Sequence, residues 1–175
     1  MLRGEADDDY EQKLDRIRKV VGEERFALGV QLVEARHDPL AIAAGLSRVA
    51  EAALATAAEA ACEEFERVHG RIPGGHLLVL GLGRLGGGSL THASDLDLVY
   101  LFTGEIGVES DGRRPLTASL YFNRLAQRVT AALSVPTAEG ALYEVDTRVR
   151  PSADPNTGRA RHSAMCSQAH ASSRW

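Results

Sequence analysis

The chain has 175 residues, 44% hydrophobic and 25% charged, with a formal net charge of −4, a length that suits one domain or a domain with a helical appendage. No apolar run approaches the ~20 residues of a membrane helix, and the acidic opening MLRGEADDDYEQK lacks the basic-then-apolar layout of a secretory signal. With no basic excess to suit a general nucleic-acid binder, the expectation is a cytoplasmic protein with neither nucleic acid nor membrane as partner.

Residues 10 to about 36 read as a helix, because Leu14, Ile17, Val21, Leu28 and Leu32 recur at the spacing of one helical face. Asp38 and Pro39 then start a second helix as N-cap and first helical residue. It is alanine-rich, runs to about Val68, and has Leu46, Val49, Ala53, Leu54, Ala57, Ala61 and Phe65 as its buried stripe. These two helices read as scaffold. A break follows over His69–Gly75, with Gly at the helix end and Pro after it.

From His76 the pattern changes. HLLVLGL is a continuous apolar run that predicts a buried strand, a glycine-rich turn follows, and DLDLVYLF from Asp95 to Phe102 predicts a second strand. Residues 105–115 read as a loop and Leu120 to Leu133 as a helix, with Tyr121, Leu125, Val129 and Leu133 on one side. Ala141 to Val149 alternates as a third strand. Ser152 to Trp175 has neither period and reads as a tail without a packed element. Cys62 and Cys166 are far apart, fit no metal-ligand spacing, and read as free thiols in a reducing compartment.

The chemistry concentrates in GLGRLGGGSLTHASDLD, residues 81–97. Gly81-x-Gly83-x-x-Gly86 after a strand matches a dinucleotide fingerprint, but that motif needs a long helix and a distant acid at the end of the next strand. Here about eight residues, rich in Gly, separate Gly86 from the next strand, and the acids stand at its start. A different reading accounts for these features. Asp95 and Asp97, two apart on a strand, project from one face while Leu96 and Leu98 enter the core. Such a carboxylate pair is costly unless a cation neutralises it. Oxygen ligands without nearby Cys or His clusters suit Mg²⁺ rather than Zn²⁺.

The glycine turn offers amides to phosphate oxygens without a Cβ in the way, and Ser89 adds a hydroxyl. A phosphate cradle beside a carboxylate metal site is what phosphoryl or nucleotidyl transfer needs. The competing reading is a solvated turn with Asp95 capping amides. Asp146, in ALYEVDTRVRP, is the candidate third carboxylate, completing the metal site or polarising an attacking hydroxyl. Arg148 and Arg150 share its strand face with Glu144, and either meet phosphates or a partner or form surface pairs with Glu144.

Four motifs in order carry a resemblance: Gly83-Arg84-Leu85-Gly86-Gly87; Ser94-Asp95-Leu96-Asp97-Leu98-Val99; Tyr121-Phe122-x-Arg124-Leu125-x-Gln127-Arg128; and Thr137-Ala138-Glu139-Gly140 running on to Leu142-Tyr143-Glu144-Val145-Asp146-x-Arg148-x-Arg150-Pro151. The series resembles bacterial glutamine synthetase adenylyltransferase, a bifunctional family of the DNA polymerase beta-like nucleotidyltransferase superfamily. The resemblance covers about Asp9 to Ser152.

It implies an α+β fold: a helical lead-in over 1–73, an incomplete nucleotidyltransferase core (a short mixed sheet with helices) over 74–152, and a disordered non-family tail over 153–175. The family's enzymes are far longer. One half adenylylates a tyrosine of glutamine synthetase, the other removes the AMP by phosphorolysis, and this chain looks like part of the adenylylating C-terminal half. The implied substrate is ATP, with Mg²⁺ on Asp95, Asp97 and Asp146. Arg84, Gly86, Gly87, Gly88, Ser89 and Ser94 would hold the nucleotide. Glutamine synthetase is the implied partner, and a PII-type signal protein regulates the full-length family enzyme. The family usually has Lys in place of Arg84 and an acid in place of Ser89. Residues 153–175 resemble none of the family's continuation, so the alternative expectation is a truncated or frameshifted non-catalytic remnant that at most binds nucleotide or partner.

Overall fold

The computed structural model describes residues 2–35, 37–105, 107–147 and 161–166, with the backbone alone for 2–8 and 161–166. Two long helices come first, α1 (Leu2–Val33) and α2 (Pro39–His69). Asp38 caps α2 as its spacing predicts: its carboxylate accepts the Leu40 amide at 3.1 Å, and Pro39 takes the first turn, where no amide partner is needed. Gly70, with φ of 70°, ends α2, and its amide donates to the Glu66 carbonyl. α1 begins well before residue 10. Its apolar stripe is buried at Leu14 and Val21, half-buried at Ile17 and Leu28, and out of the core by Leu32.

Four strands follow, β1 (His76–Gly81), β2 (Leu96–Thr103), β3 (Val145–Asp146) and β4 (Arg161–Cys166), in one sheet of order β3-β2-β1-β4. β1 (His76–Gly81) and β2 (Leu96–Thr103) are antiparallel, joined through a single short helical turn, α3 (Gly83–Gly86). β2 pairs in parallel with β3 (Val145–Asp146); of the strand expected over 141–149, residues 141–144 do not join it and residues 148–149 lie outside the described residues. Between them runs α4 (Ala118–Ser134). The topology is a mixed sheet with helices, as an α+β fold requires.

β1 is not buried on both faces, as its continuous apolar run suggested. Leu77, Val79 and Gly81 are buried, while Leu78 and Leu80 are half-exposed. Leu96 and Leu98 share the buried face, where they join Val79 and the alanine stripe of α2 in one core with Val129 and Leu133 of α4. A second cluster at the other end packs Phe65, Ile72, Leu77, Tyr121, Phe122 and Leu125. There Tyr121 meets Phe65 edge-on at 4.9 Å, and its hydroxyl donates to the Gly70 carbonyl at 2.9 Å.

Three expectations are corrected. Arg161–Cys166, in the segment read as a tail, forms β4, antiparallel to β1; the open edge of β1 supplies unpaired backbone groups that a further strand satisfies. Cys62, buried in the second cluster, is disulfide-bonded rather than a free thiol; β4 runs beside α2, so residues far apart in sequence meet there. Finally, α2 is long and apolar enough to cross a membrane by length and composition alone, with a mean hydropathy of 1.4 in its most apolar window. Its alanines (Ala50, Ala53, Ala57, Ala61) are instead packed in the core, which accounts for that hydropathy.

Candidate active site

The geometry of the site starts from strand register. Asp97 on β2 lies directly across from Asp146 on β3, and Leu96 across from Val145. Side chains on adjacent parallel strands at paired positions point to the same face, so the register that buries Leu96 sets the two aspartates side by side. Asp95, two residues before Asp97, joins them at the start of the strand. One oxygen from each of Asp95, Asp97 and Asp146 lies within 4.8 Å of the others. Asp95 is exposed; Asp97 and Asp146 are half-buried. This is the predicted trio, and the expected third carboxylate is in place.

Desolvation raises the Asp97 pKa above its ordinary value, and the neighbouring charges of Asp95 and then Asp146 raise it further. Three carboxylates held this close favour either a proton or a cation. An oxygen-only donor set of three carboxylates matches hard cations such as Mg²⁺, and the residues present fit that ion.

The glycine segment is hydrogen-bonded within itself. α3 folds the turn tightly: the Gly86 amide donates to the Leu82 carbonyl, Gly87 to Gly83, Gly88 to Leu85, and Ser89 to Arg84, all at 2.9–3.0 Å. The Gly86, Gly87 and Gly88 amides expected to cradle phosphate are thus hydrogen-bonded within the segment, as is the amide of Ser89, which was expected to offer its hydroxyl. Arg84 is exposed on α3. Ser94 is also engaged, its hydroxyl accepting the Thr91 amide at 3.0 Å and lying 2.8 Å from the Thr91 hydroxyl, which closes the turn before Asp95. Arg148 and Arg150 lie outside the described residues.

The glycine that the geometry does require is Gly83. It has φ of 54°, and a Cβ there would collide with the Asp97 carboxylate. The Leu82 amide donates to the Asp97 carbonyl at 2.8 Å, so the turn is pinned to β2 at Asp97 itself.

Two clefts lie near the β2–β3 pair, and only the first touches the trio. One of about 400 Å³ is bordered by Asp95 with Arg25, His92, Ser94, Tyr143 and Glu144. The other, of about 420 Å³, is lined by Tyr100, Asn123, Gln127, Thr130 and Thr147, the last being next in sequence to Asp146.

Sequence reasoning missed the residues that hold these segments from behind. Ser47, buried in the α2 stripe, accepts the Leu90 amide at 3.0 Å while donating to the Ala43 carbonyl. Arg18, also buried, donates to the Ala132 and Val135 carbonyls at the end of α4. Arg25 donates to the Leu142 and His92 carbonyls at 3.0 and 2.8 Å. The available signal was a polar residue interrupting an apolar stripe: Arg18 and Arg25 fall in helical step with Leu14, Val21 and Leu28.

Comparison with known proteins identifies the family. The family model described as glutamate-ammonia ligase adenylyltransferase matches residues 1–169, past Ser152, where the motif reading placed the end of the family resemblance. The bifunctional glutamine synthetase adenylyltransferase/adenylyl-removing enzyme of Rhizobium meliloti is 45% identical over 144 residues, 82% of this chain and 15% of that protein. Its namesakes in Mesorhizobium japonicum and Agrobacterium fabrum are 43% identical over 149 residues (85% of this chain, 15% of theirs) and 42% over 157 (89% and 16%). The chain therefore spans about 15% of the length of these curated relatives. With its carboxylate trio in register and its sequence matched nearly end to end, the chain belongs to the glutamate-ammonia ligase adenylyltransferase family.

Proposed function

We propose that this chain carries a nucleotidyl-transfer centre that moves AMP from ATP to a tyrosine of glutamine synthetase. The observation that carries the reading is the convergence of Asp95, Asp97 and Asp146 within 4.8 Å on one face of the sheet. The names of the relatives supply the substrate partner. A core of the polymerase beta-like type over 74–152, behind a helical lead-in over 1–73, is consistent with the mixed sheet and with two acids at the start of β2. The LYEVDTRVRP stretch favours the adenylylating half. Regulation by a PII-type protein and a cytoplasmic setting follow from the same family reading.

In this mechanism Asp95, Asp97 and Asp146 would hold Mg²⁺, which supplies charge neutralisation for the triphosphate and the leaving pyrophosphate. Gly83 keeps the α3 turn close enough to Asp97 for the nucleotide to lie across both. Asp146 accepts the proton of the attacking tyrosine hydroxyl. The new bond joins that oxygen to the α-phosphorus, and the bond from the α-phosphorus to the bridging oxygen of pyrophosphate breaks. The cleft bordered by Asp95 leaves room for a ligand beside the trio. Labelled ATP with Mg²⁺ and purified glutamine synthetase tests the reading. Label should appear on a tyrosine and disappear with Asp95→Ala or Asp97→Ala; transfer that survives both substitutions would refute the assignment.

A second reading, binding of nucleotide or partner without turnover, is favoured by the four glycine-segment amides that already have carbonyl partners. It predicts ATP retention on the protein with no label on glutamine synthetase.

A further inference from the structure

The scaffold helix α1 reaches the site through one residue. Arg25 is half-buried on the face of α1 that packs against the rest of the protein, and its guanidinium spans two segments that sequence places far apart. Nη2 donates to the His92 carbonyl at 2.8 Å, three residues before Asp95. Nη1 donates to the Leu142 carbonyl at 3.0 Å, four residues before Asp146. The same guanidinium lies 4.7 Å from the centroid of the Tyr143 ring, which fixes its plane. Behind it, the His92 ring fits where a side chain at Gly29 would stand.

Each segment is anchored on its far side. The Leu142 and Tyr143 amides both donate to the Leu133 carbonyl at the end of α4, and the Leu90 amide is held by Ser47 of α2. The Leu96 amide also donates to the Glu144 carbonyl at 2.9 Å, and the β2–β3 pairing continues from there. Those bonds set β2 against β3, while the turn at residues 91–94, closed on itself by the Thr91–Ser94 bonds and leading into the exposed Asp95, is joined to the Leu142 segment by Arg25. A planar fork with donors in fixed directions suits this task, because two carbonyls bound to one rigid group have a fixed separation.

We propose that Arg25 is a positioning residue for the carboxylate trio, setting the distance of Asp95 from Asp97 and Asp146 and thereby the affinity of the site for a divalent cation. The proposal rests on the metal-site reading above and goes beyond it in assigning a function to α1. Its sign separates it from a simple charge effect. A cation this near an acidic site repels a metal ion, so removing a mere charge would tighten metal binding. Removing a spacer weakens it.

The test is Mn²⁺ titration of the whole 175-residue protein, followed by the loss of the free-ion electron paramagnetic resonance signal, with no nucleotide present. Arg25→Ala is expected to weaken Mn²⁺ binding about tenfold, as loss of groups that orient metal ligands does. Arg25→Lys keeps the charge but loses the fork and is also expected to bind more weakly than the parent; it decides the matter if Arg25→Ala does not fold. Asp38→Ala removes a helix cap remote from both segments and should lower stability while leaving Mn²⁺ affinity unchanged. Unchanged or tighter binding in a folded Arg25→Ala protein, or parental affinity in Arg25→Lys, overturns the proposal. If the parent binds no Mn²⁺, or Asp97→Asn binds it as well as the parent does, the metal-site reading itself fails and the proposal falls with it.

Discussion

Asp97 is where one side chain feels the whole site. Its pKa is raised first by desolvation and then by Asp95 and Asp146. Between the ordinary value of 3.8 and the raised folded value, the folded state therefore binds more protons than the unfolded one. Stability of the metal-free protein should fall as pH rises through that window, and the loss persists above it. Asp97→Asn should flatten this dependence and raise the neutral-pH Tm of the metal-free protein, as followed by thermal melts across pH 4–7. A parental profile in the variant would contradict the repulsion described. Gly83 makes a complementary case. Gly83→Ala introduces both a left-handed strain of about 1–2 kcal/mol and a collision with the Asp97 carboxylate. The expected result is a modest loss of stability with a far larger loss of metal affinity and AMP transfer, measured by urea unfolding and by the label assay. Gly83 was visible in the sequence as part of a glycine run. Its singular importance was not, because the reason is the approach of a side chain fourteen residues later.

At the scale of elements, the helices behave as brackets for the strands that carry the acids. Arg18 is buried at 4% exposure, bonded to the Ala132 and Val135 carbonyls and near Asp15 at 3.4 Å. It thereby satisfies carbonyls that the end of α4 leaves without helical partners. Arg18→Ala should cost about 2–4 kcal/mol in denaturant unfolding, since hydrogen bonds to a charged group are lost and buried carbonyls are left bare. Ser47→Ala is expected to cost about 1–3 kcal/mol, because it leaves the buried Leu90 amide without its acceptor. The alanine stripe around Ser47 predicted close packing, and packing is what most of that face does. One hydroxyl in it serves the loop after the glycine turn instead. Helix starts and stops were legible where local chemistry sets them, as at Asp38, Pro39 and Gly70. The third strand was begun too early at Ala141, because alternation marks which residues suit a strand while pairing requires a neighbour, and among the described residues β2 pairs with Val145 and Asp146; Arg148 and Val149 lie outside the described residues.

For the molecule as a whole, the sheet is built so that its core face holds Leu96 and Leu98 and its other face begins with the acids. Divalent cation should therefore stabilise the folded state. At a hundredfold excess of free Mg²⁺ over Kd, a single site contributes about 2.7 kcal/mol, and the gain should vanish in Asp97→Asn. Absence of a Mg²⁺-dependent shift in the parent would argue against a preformed site. The sequence by itself determined the helices, the two principal strands, the identity of the three aspartates and the family. Each depends on short-range periodicity, capping chemistry or motif order, which are properties of neighbouring residues. Tertiary structure alone decided that Asp146 stands in register with Asp97, that the glycine amides are spent within their own turn, that β4 closes the far edge of the sheet, and that two arginines on a scaffold helix reach backbone carbonyls more than sixty residues away. Those facts depend on which carbonyl or strand edge lies within reach after folding, and no local pattern in the chain encodes that distance.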